Sequence, residues 1–380
     1  MFSLLVPLAV YAGGDEHSNH KGHHDHHGTH TSKNEPLPST MLMGKATYVL
    51  GGVEGATAMG GSLQDKTTFN YDMKLMGMTS FTGKDMLKTA VRIGNFGMMD
   101  PFGMSGAARL DTAFNSNNQL DLHKLFYKFP LSEDIQITFG PRLRQDDLLG
   151  VWPSAYPSDE ILFVLNNAGA NDTYSKNMGA GASIVWSKDK LVATALLVAE
   201  DAADSTKGFL QGDSSDIITT QLALVDDSYT IALAYTHADN GNTTGNADAD
   251  DYSSFGISGT YKFSNDSNVI PSSISGGIGW KSPDNEDNPD TSANSVESGN
   301  TWTVGVMWSD AFREGNNLGL AIGTSETHRD DSGYDNPLAW EAFYQVLLND
   351  SMTITPAVFV IEKDGDEDVS GAIVKTIFNF

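Results

Sequence analysis

The chain contains no cysteine, which excludes disulfide frameworks, thiolate metal sites and cysteine nucleophiles. No run approaches the roughly 20 consecutive apolar residues of a membrane-spanning helix, so any passage through a bilayer would have to be made by strands. Hydrophobic residues make up only 39% of the 380 residues, below the roughly 45–50% of an average globular protein. A large conventional core would therefore be hard to fill.

Positive charge is also scarce. The formal net charge is −26, and because binding to phosphates needs a basic surface, a nucleic acid is not expected as a partner. Much of the acidic charge lies in polar stretches such as 248–251 and 284–290, which are typical of exposed loops. No nucleophile elbow, paired-carboxylate motif or zinc-binding helix motif accompanies His123, His237 or His328, so the chain is not expected to be an enzyme.

The first 40 residues differ from the rest. Residues 1–12 are mostly apolar and end in Val10-Tyr11-Ala12, a pattern that resembles the end of a secretory signal. Residues 13–40 form a polar, His-rich arm without periodicity, and the predicted barrel domain covers 41–380.

The His-rich arm has the composition of a metal-binding segment. Neutral imidazoles bind Zn, Cu, Ni or Fe, and closely spaced histidines on a flexible chain allow several to reach one ion. This arm is therefore either a metal-capturing segment or a low-complexity or tag-like tail. No other cofactor is required. The candidate ligands are His17, His20, His23, His24, His26, His27 and His30.

From Met41 onward the chain repeats one pattern. Period-2 stretches of about ten residues are joined alternately by short turns and by longer acidic loops. This alternation is typical of outer-membrane barrels. The sequence therefore predicts an all-β protein, a transmembrane antiparallel β-barrel of about 16 strands with both termini on the periplasmic side. The predicted strands are 42–53, 67–80, 86–96, 119–129, 135–144, 177–186, 190–200, 214–225, 229–238, 252–263, 270–280, 300–308, 316–325, 337–348, 352–361 and 369–380.

Basic residues share the predicted lumen face of three neighbouring strands. In 86–96, Leu87 and Val91 lie on one face and Lys88 and Arg92 on the other, as period 2 requires. A basic residue on the lipid face would cost about 2–4 kcal/mol at mid-membrane, so the basic side chains are assigned to the lumen. They would form a basic wall.

The following loop, 145–176, is predicted to fold into the barrel as a constriction loop. Its Trp152, Tyr156 and Ile161–Leu165 are too apolar for a freely solvated segment. Ser158 would cap a short helix beginning at Asp159.

Acidic residues of this loop would face the basic wall across a constriction and filter solutes by charge and size. The alternative is that these acids simply neutralise the basic residues. The predicted pore-constriction residues are Lys88, Arg92, Lys124, Lys128, Arg142, Arg144, Asp146, Asp147, Asp159 and Glu160.

Two stretches carry a resemblance to a family. Thr79-Ser-Phe-Thr-Gly-Lys-Asp-Met-Leu-Lys-Thr89 with 92–96, and Leu122-His-Lys-Leu-Phe-Tyr-Lys-Phe-Pro-Leu131 leading into 135–141, resemble cyanobacterial outer-membrane porins related to the carbohydrate-selective OprB porins. The resemblance implies a trimeric, passive porin that passes inorganic ions and small organic solutes. Such porins usually carry an S-layer-homology domain and a coiled coil that tether them to peptidoglycan. Here the His-rich arm stands in that place.

The expected function is therefore an outer-membrane channel for small hydrophilic solutes and inorganic ions, iron or sugars among them. Its expected partners are outer-membrane lipid and, as a homotrimer, two further copies of the chain. Two alternatives stay open. One is a secreted all-β surface protein or adhesin whose alternating strands bury their apolar face in a core, and the other is a metal-capturing porin that uses the His-rich arm.

Overall fold

Sixteen strands form one closed antiparallel barrel. The computed structural model describes residues 38–57, 63–157, 161–211, 214–239, 251–264, 270–284, 298–328, 336–365 and 367–380. Each strand pairs with its neighbours in sequence, and pairing of the first strand with the last closes the barrel. The elements are β1 (Ser39–Glu54), β2 (Thr68–Ser80), β3 (Met86–Gly94), β4 (Asp121–Pro130), β5 (Ile135–Arg144), α1 (Gln145–Leu148), a 3₁₀ helix (Phe163–Leu165), β6 (Met178–Lys188), β7 (Leu191–Ala199), β8 (Asp216–Val225), β9 (Tyr229–Asp239), β10 (Tyr252–Lys262), β11 (Ser273–Pro283), β12 (Gly299–Ser309), β13 (Asn317–Thr324), β14 (Leu338–Asn349), β15 (Met352–Ile361) and β16 (Val369–Asn379).

The predicted fold is confirmed, strand by strand. Predicted and observed strand starts differ by at most three residues, since β1 begins at 39 instead of 42 and β11 at 273 instead of 270. The barrel thus begins at Ser39, two residues before the predicted domain boundary. Period 2 locates these strands well because each has one face toward the interior and one toward the outside.

The outer face of the barrel is apolar. Phe69 is 66% exposed and Ile231 is 50% exposed, and large hydrophobic side chains are exposed on most strands. A sandwich-type surface protein would bury such side chains between two sheets, so the sandwich alternative is wrong in its fold. Among the described residues, no helix has the length and apolar character needed to span a membrane.

Tight turns and long loops lie at opposite ends of the barrel, and one tight turn is organised by a carboxylate. Asp85 follows β2 and accepts hydrogen bonds from Ser80 Oγ (2.8 Å) and from the backbone N–H groups of Phe81 (3.0 Å) and Thr82 (2.8 Å). Its second oxygen accepts from Tyr127 Oη at 2.5 Å. Desolvation opposes ionisation, but these bonds together hold the pKa of Asp85 below its ordinary value.

The described part of the barrel interior contains two large apolar clusters and a small one around Val151, contrary to the expectation from composition. In the first, Phe102 and Leu162, from the loops after β3 and β5, pack among inward residues of β1 and β12–β16 such as Phe359. In the second, Trp152 and Tyr174 pack among inward residues of β4–β9. Long loops therefore supply the core that strands alone do not fill.

Candidate functional site in the barrel interior

The loop 145–176, called the interior loop below, crosses the barrel and is bonded to the wall through its backbone. The Ala155 N–H donates to Thr260 Oγ1 (2.7 Å), and the Thr173 carbonyl accepts from Thr236 Oγ1 (2.8 Å). Such partners matter because an unpaired N–H or C=O group away from water costs free energy. The wall hydroxyls that bond to the loop backbone in this way belong to Thr194, Thr236, Ser258, Thr260, Ser275 and Thr301.

Glycine on the inner wall lets the interior loop approach closely. A Cβ atom on Gly277 would lie only 2.0 Å from the Ala168 carbonyl oxygen. A Cβ on Gly305 would lie 2.5 Å from the Tyr156 ring. No side chain fits at either position, so these glycines are places where a second part of the chain contacts the strand backbone.

Glu341 anchors the interior loop to the barrel wall at β14. It lies on the inner face of β14 and is 1% exposed. Its Oε1 accepts from Tyr156 Oη at 2.6 Å and its Oε2 accepts from the Leu162 N–H at 2.7 Å. These are charge-assisted bonds, roughly twice as strong as neutral ones. Sequence reasoning did not select Glu341, although it is the one acid of β14 and shares the inner parity with Ala339 and Phe343.

The prediction that this loop folds inside is confirmed. Trp152, Tyr156 and Leu162 are all buried. The predicted helix beginning at Asp159 lies outside the described residues, as do Ser158 and Glu160. The described helices of the loop are α1 and the 3₁₀ helix.

Most of the predicted basic wall lies in the interior. Lys88 and Arg92 on β3, Lys124 and Lys128 on β4, and Arg144 at the end of β5 are all buried. Their positions follow from period 2 along β3 and β4.

Asp146 and Asp147 bind the wall directly instead of facing it across a gap. Lys124 Nζ lies 2.8 Å from Asp147 Oδ1, while Arg144 donates through Nε (2.7 Å) and Nη2 (2.5 Å) to the two oxygens of Asp146. Burial alone would raise the pKa of Asp146, but Arg144, Lys124 and Lys176 keep it below its ordinary value. These two acids neutralise basic residues, as the alternative stated. The prediction that they face the basic wall across a constriction is wrong.

Arg142 does not belong to the buried wall. The β5–β6 pairing shifts register between Gly140 and Leu143, and Leu143 is the residue that packs inside. Arg142 is half-buried, and its Nε donates to the Leu122 carbonyl at 2.9 Å. The prediction assumed unbroken alternation, which the bulge interrupts.

Charged residues that were not predicted extend the basic wall onto β2. Arg92 Nε lies 2.5 Å from Asp72 Oδ1, and its Nη1 lies 3.5 Å from His123 Nε2. Lys74 Nζ is 3.9 Å from the other oxygen of Asp72. Asp72 and Lys74 alternate with outward residues, so the same period-2 argument would have found them. We call the inner-face residues Asp72, Lys74, Lys88, Arg92, His123, Lys124 and Lys128 the charged strip.

A further ion pair joins the interior loop to the loop after β3. Lys176 Nζ lies 3.2 Å from Asp111 Oδ1. The Arg109 guanidinium stacks 3.6 Å above the centre of the Phe163 ring, a favourable cation–π geometry. The two loops therefore form one packed unit beside the charged strip.

The histidines of the barrel lie apart from one another, His123 on β4, His237 on β9 and His328 after β13. His237 Nδ1 lies 3.4 Å from Ser253 Oγ and 3.3 Å from Asp284 Oδ2. Because one nitrogen faces both groups, the ring does not relay a proton between them as a catalytic triad requires. No group of three or more His, Asp or Glu side chains there converges as metal ligands do. The seven histidines of the His-rich arm lie outside the described residues.

No family model matches the chain. Two relatives are similar to it in sequence, the uncharacterized protein sll0772 of Synechocystis sp. (24% identity over 370 residues, 85% of this chain and 65% of the relative) and the uncharacterized protein alr4550 of Nostoc sp. (24% identity over 395 residues, 90% of this chain and 65% of the relative). The chain thus spans less than two thirds of the length of either relative.

Solved structures with a similar fold include Pseudomonas putida OprB in its high-pH structure. The TM-score is 0.63 at 12% identity, and the alignment covers 90% of this chain and 94% of OprB. A mutant of the Rhodopseudomonas blastica porin aligns with a TM-score of 0.50 at 14% identity, covering 90% of this chain and all of the porin. At such low identity the likeness shows the porin fold.

Proposed function

We propose that the chain is a passive outer-membrane channel for small hydrophilic solutes and inorganic ions, related to the porins of the OprB type. The closed barrel with an apolar outer belt carries the proposal, since strands can cross lipid only when every backbone group is paired in a closed sheet. The fold shared with OprB supports it.

The solute route in this proposal follows the charged strip. Apolar clusters occupy the interior along β12–β1 and along β4–β9, whereas ionised side chains are concentrated on β2–β4. Hydrated solutes favour the ionised surface because leaving water for an apolar one is unfavourable. The side chains of the strip are buried, so in this proposal the strip acts on a passing solute through its charge.

Planar bilayers test the channel directly. The purified chain should insert and give stepwise, ohmic current increments, and a protein that inserts without conducting would refute the proposal. The reversal potential in a salt gradient then reports whether cations or anions pass more readily. Chemical cross-linking in detergent should yield a trimer, as proposed for the assembly.

The metal-capturing role of the His-rich arm is a second proposal, supported by the seven histidines between positions 17 and 30. Deleting residues 15–31 should abolish most Zn²⁺ binding in calorimetric titration while leaving the conductance unchanged. Equal Zn²⁺ binding by the full chain and the deletion variant would reject it.

A further inference from the structure

The loop 97–118, which follows β3, pairs with the interior loop inside the barrel. Leu110 and Leu162 form an antiparallel bridge between the two loops. Beside this bridge the Phe163 N–H donates to the Arg109 carbonyl at 3.0 Å. Since Leu162 is also bonded to the wall at β14, the backbone holds Arg109 and Phe163 side by side at a fixed place in the barrel.

This place is next to the charged strip. Arg92, on the strip, donates through Nη2 to the carbonyl of Thr112 at 3.1 Å, and Thr112 is only three residues along the loop 97–118 from Arg109. Arg144, at the end of β5, is near enough to Arg109 for the two positive charges to repel each other. A solute that follows the charged strip therefore passes close to Arg109.

The Arg109 side chain is held in position but not neutralised. Its guanidinium lies 3.6 Å from the centre of the Phe163 ring, and both side chains are half-buried. Within the described part of the chain Arg109 forms no salt bridge, and its Nε is buried without a hydrogen-bond partner. Asp111, the carboxylate that attracts Arg109, is instead bonded to Lys176 Nζ at 3.2 Å.

Two other described guanidinium groups of the interior already have carboxylate partners. Arg92 Nε lies 2.5 Å from Asp72 Oδ1, and Arg144 donates to both oxygens of Asp146. Such charge-assisted bonds use the donors that an anion would need. Arg109 presents the same type of donor group without a carboxylate, so its donors are available to an anion from outside the chain.

We propose that Arg109, stacked on Phe163, binds the carboxylate group of small organic acids as they pass through the channel. The planar guanidinium matches the two oxygens of a carboxylate with two parallel N–H···O bonds, and stacking on the ring fixes the plane of these donors. A buried N–H without a partner costs free energy, which a carboxylate oxygen would offset. The inference rests on the proposed channel function, for which it names a class of solute.

Saturation-transfer NMR of the full chain in detergent tests the binding step, with acetate as the probe. Arg109→Gln removes the charge, and the control Arg313→Gln removes an exposed arginine from the short turn between β12 and β13. The wild type and Arg313→Gln should bind acetate equally. Arg109→Gln should bind it roughly 10–100-fold more weakly, the loss expected for a hydrogen bond to a charged group. Because NMR requires no conduction, a failure of the channel proposal is seen separately.

Arg109→Lys tests whether the shape of the guanidinium matters. It keeps the positive charge but loses the planar pair of donors, so chloride should displace acetate from it at lower concentrations than from the wild type. Chloride displacement at the same concentrations would refute the role given to the guanidinium. This variant also decides the question if Arg109→Gln fails to fold.

Planar bilayers then test whether the site lies on the solute route. Acetate should inhibit the chloride current of the wild type in a saturable way and should have a much smaller effect on Arg109→Gln. Acetate binding without any effect on the current would overturn the proposal. So would the absence of acetate binding by the wild type, equal binding by Arg109→Gln and the wild type, or an equal loss in Arg313→Gln.

Discussion

Removing the carboxylate of Glu341 is expected to release the interior loop from β14. The Glu341→Ala variant loses the bonds to Tyr156 Oη and to the Leu162 N–H. Bonds to a charged group contribute about 1.5–3 kcal/mol each, so the pair contributes about 3–6 kcal/mol. Since about 1.4 kcal/mol is a factor of ten, the ratio of released to anchored loop should rise by roughly 10²–10⁴.

Single-channel recording measures this ratio. If the channel proposal holds, the wild type should show a steady current and Glu341→Ala should show frequent transitions to a higher conductance. Tyr156→Phe removes one of the two bonds and should raise the ratio of released to anchored loop by roughly 10–100-fold. Glu341→Gln keeps an acceptor for the Leu162 N–H, so its transition frequency should be closer to that of the wild type.

Gln345→Ala is the matched control. Gln345 lies four residues farther along the same inner face of β14 and accepts from Asn317 at 2.8 Å. Its currents should match the wild type. Limited proteolysis gives a second readout that does not depend on conduction, because a released loop is cleaved faster. Identical currents and identical cleavage rates for Glu341→Ala and the wild type would refute the anchoring role.

Three further variants test the remaining interactions. Lys124→Met leaves Asp147 buried without its ammonium partner and should lower the free energy of unfolding in urea by about 3–5 kcal/mol. Adding Asp147→Leu should recover most of that loss. If the losses from the two substitutions simply added, the two residues would not be coupled. Asp85→Asn should be less stable than the wild type at pH 7, because a carboxyl with a lowered pKa stabilises the folded state above its ordinary pKa of 3.8. That difference should shrink below pH 3.8, and a difference that grew in acid would contradict it. Ile257→Lys on the outer face should cost about 2–4 kcal/mol in refolding titrations, whereas Ile257→Leu should be nearly neutral.

The strands and their facing were predictable because each depends on residues two apart. The same reasoning failed at Arg142, and the reason is local. Pro141 has no N–H to donate to the strand ladder, and the register shifts at this point, between Gly140 and Leu143. Proline is compatible with a bulge, but Pro356 lies in β15 without any shift in its register with β16, so proline alone did not locate the break.

The route of the interior loop was not predictable in the same way. Its apolar residues indicated burial, but the bonds that fix its path join distant positions, such as Ala155 with Thr260 and Leu162 with Glu341. The contact between Lys124 and Asp147 likewise depends on how the chain turns after β5. The period-2 pattern assigns each side chain of a strand to the inner or the outer face. It contains no information about which strands a loop contacts.

The low hydrophobic content and the filled interior have one physical explanation. A barrel of eight strands is filled by its own side chains, whereas a wider barrel leaves space, and here the loops after β3 and β5 enter it. A loop brings unpaired backbone groups with it, so a wall of Leu and Val would leave them without partners. Hydroxyls such as Thr236 and Thr260 provide those partners, and glycines such as Gly277 provide room. The interior wall is therefore polar because its hydroxyls bond to the loop, and among the described residues the ionised inner side chains are concentrated on the charged strip.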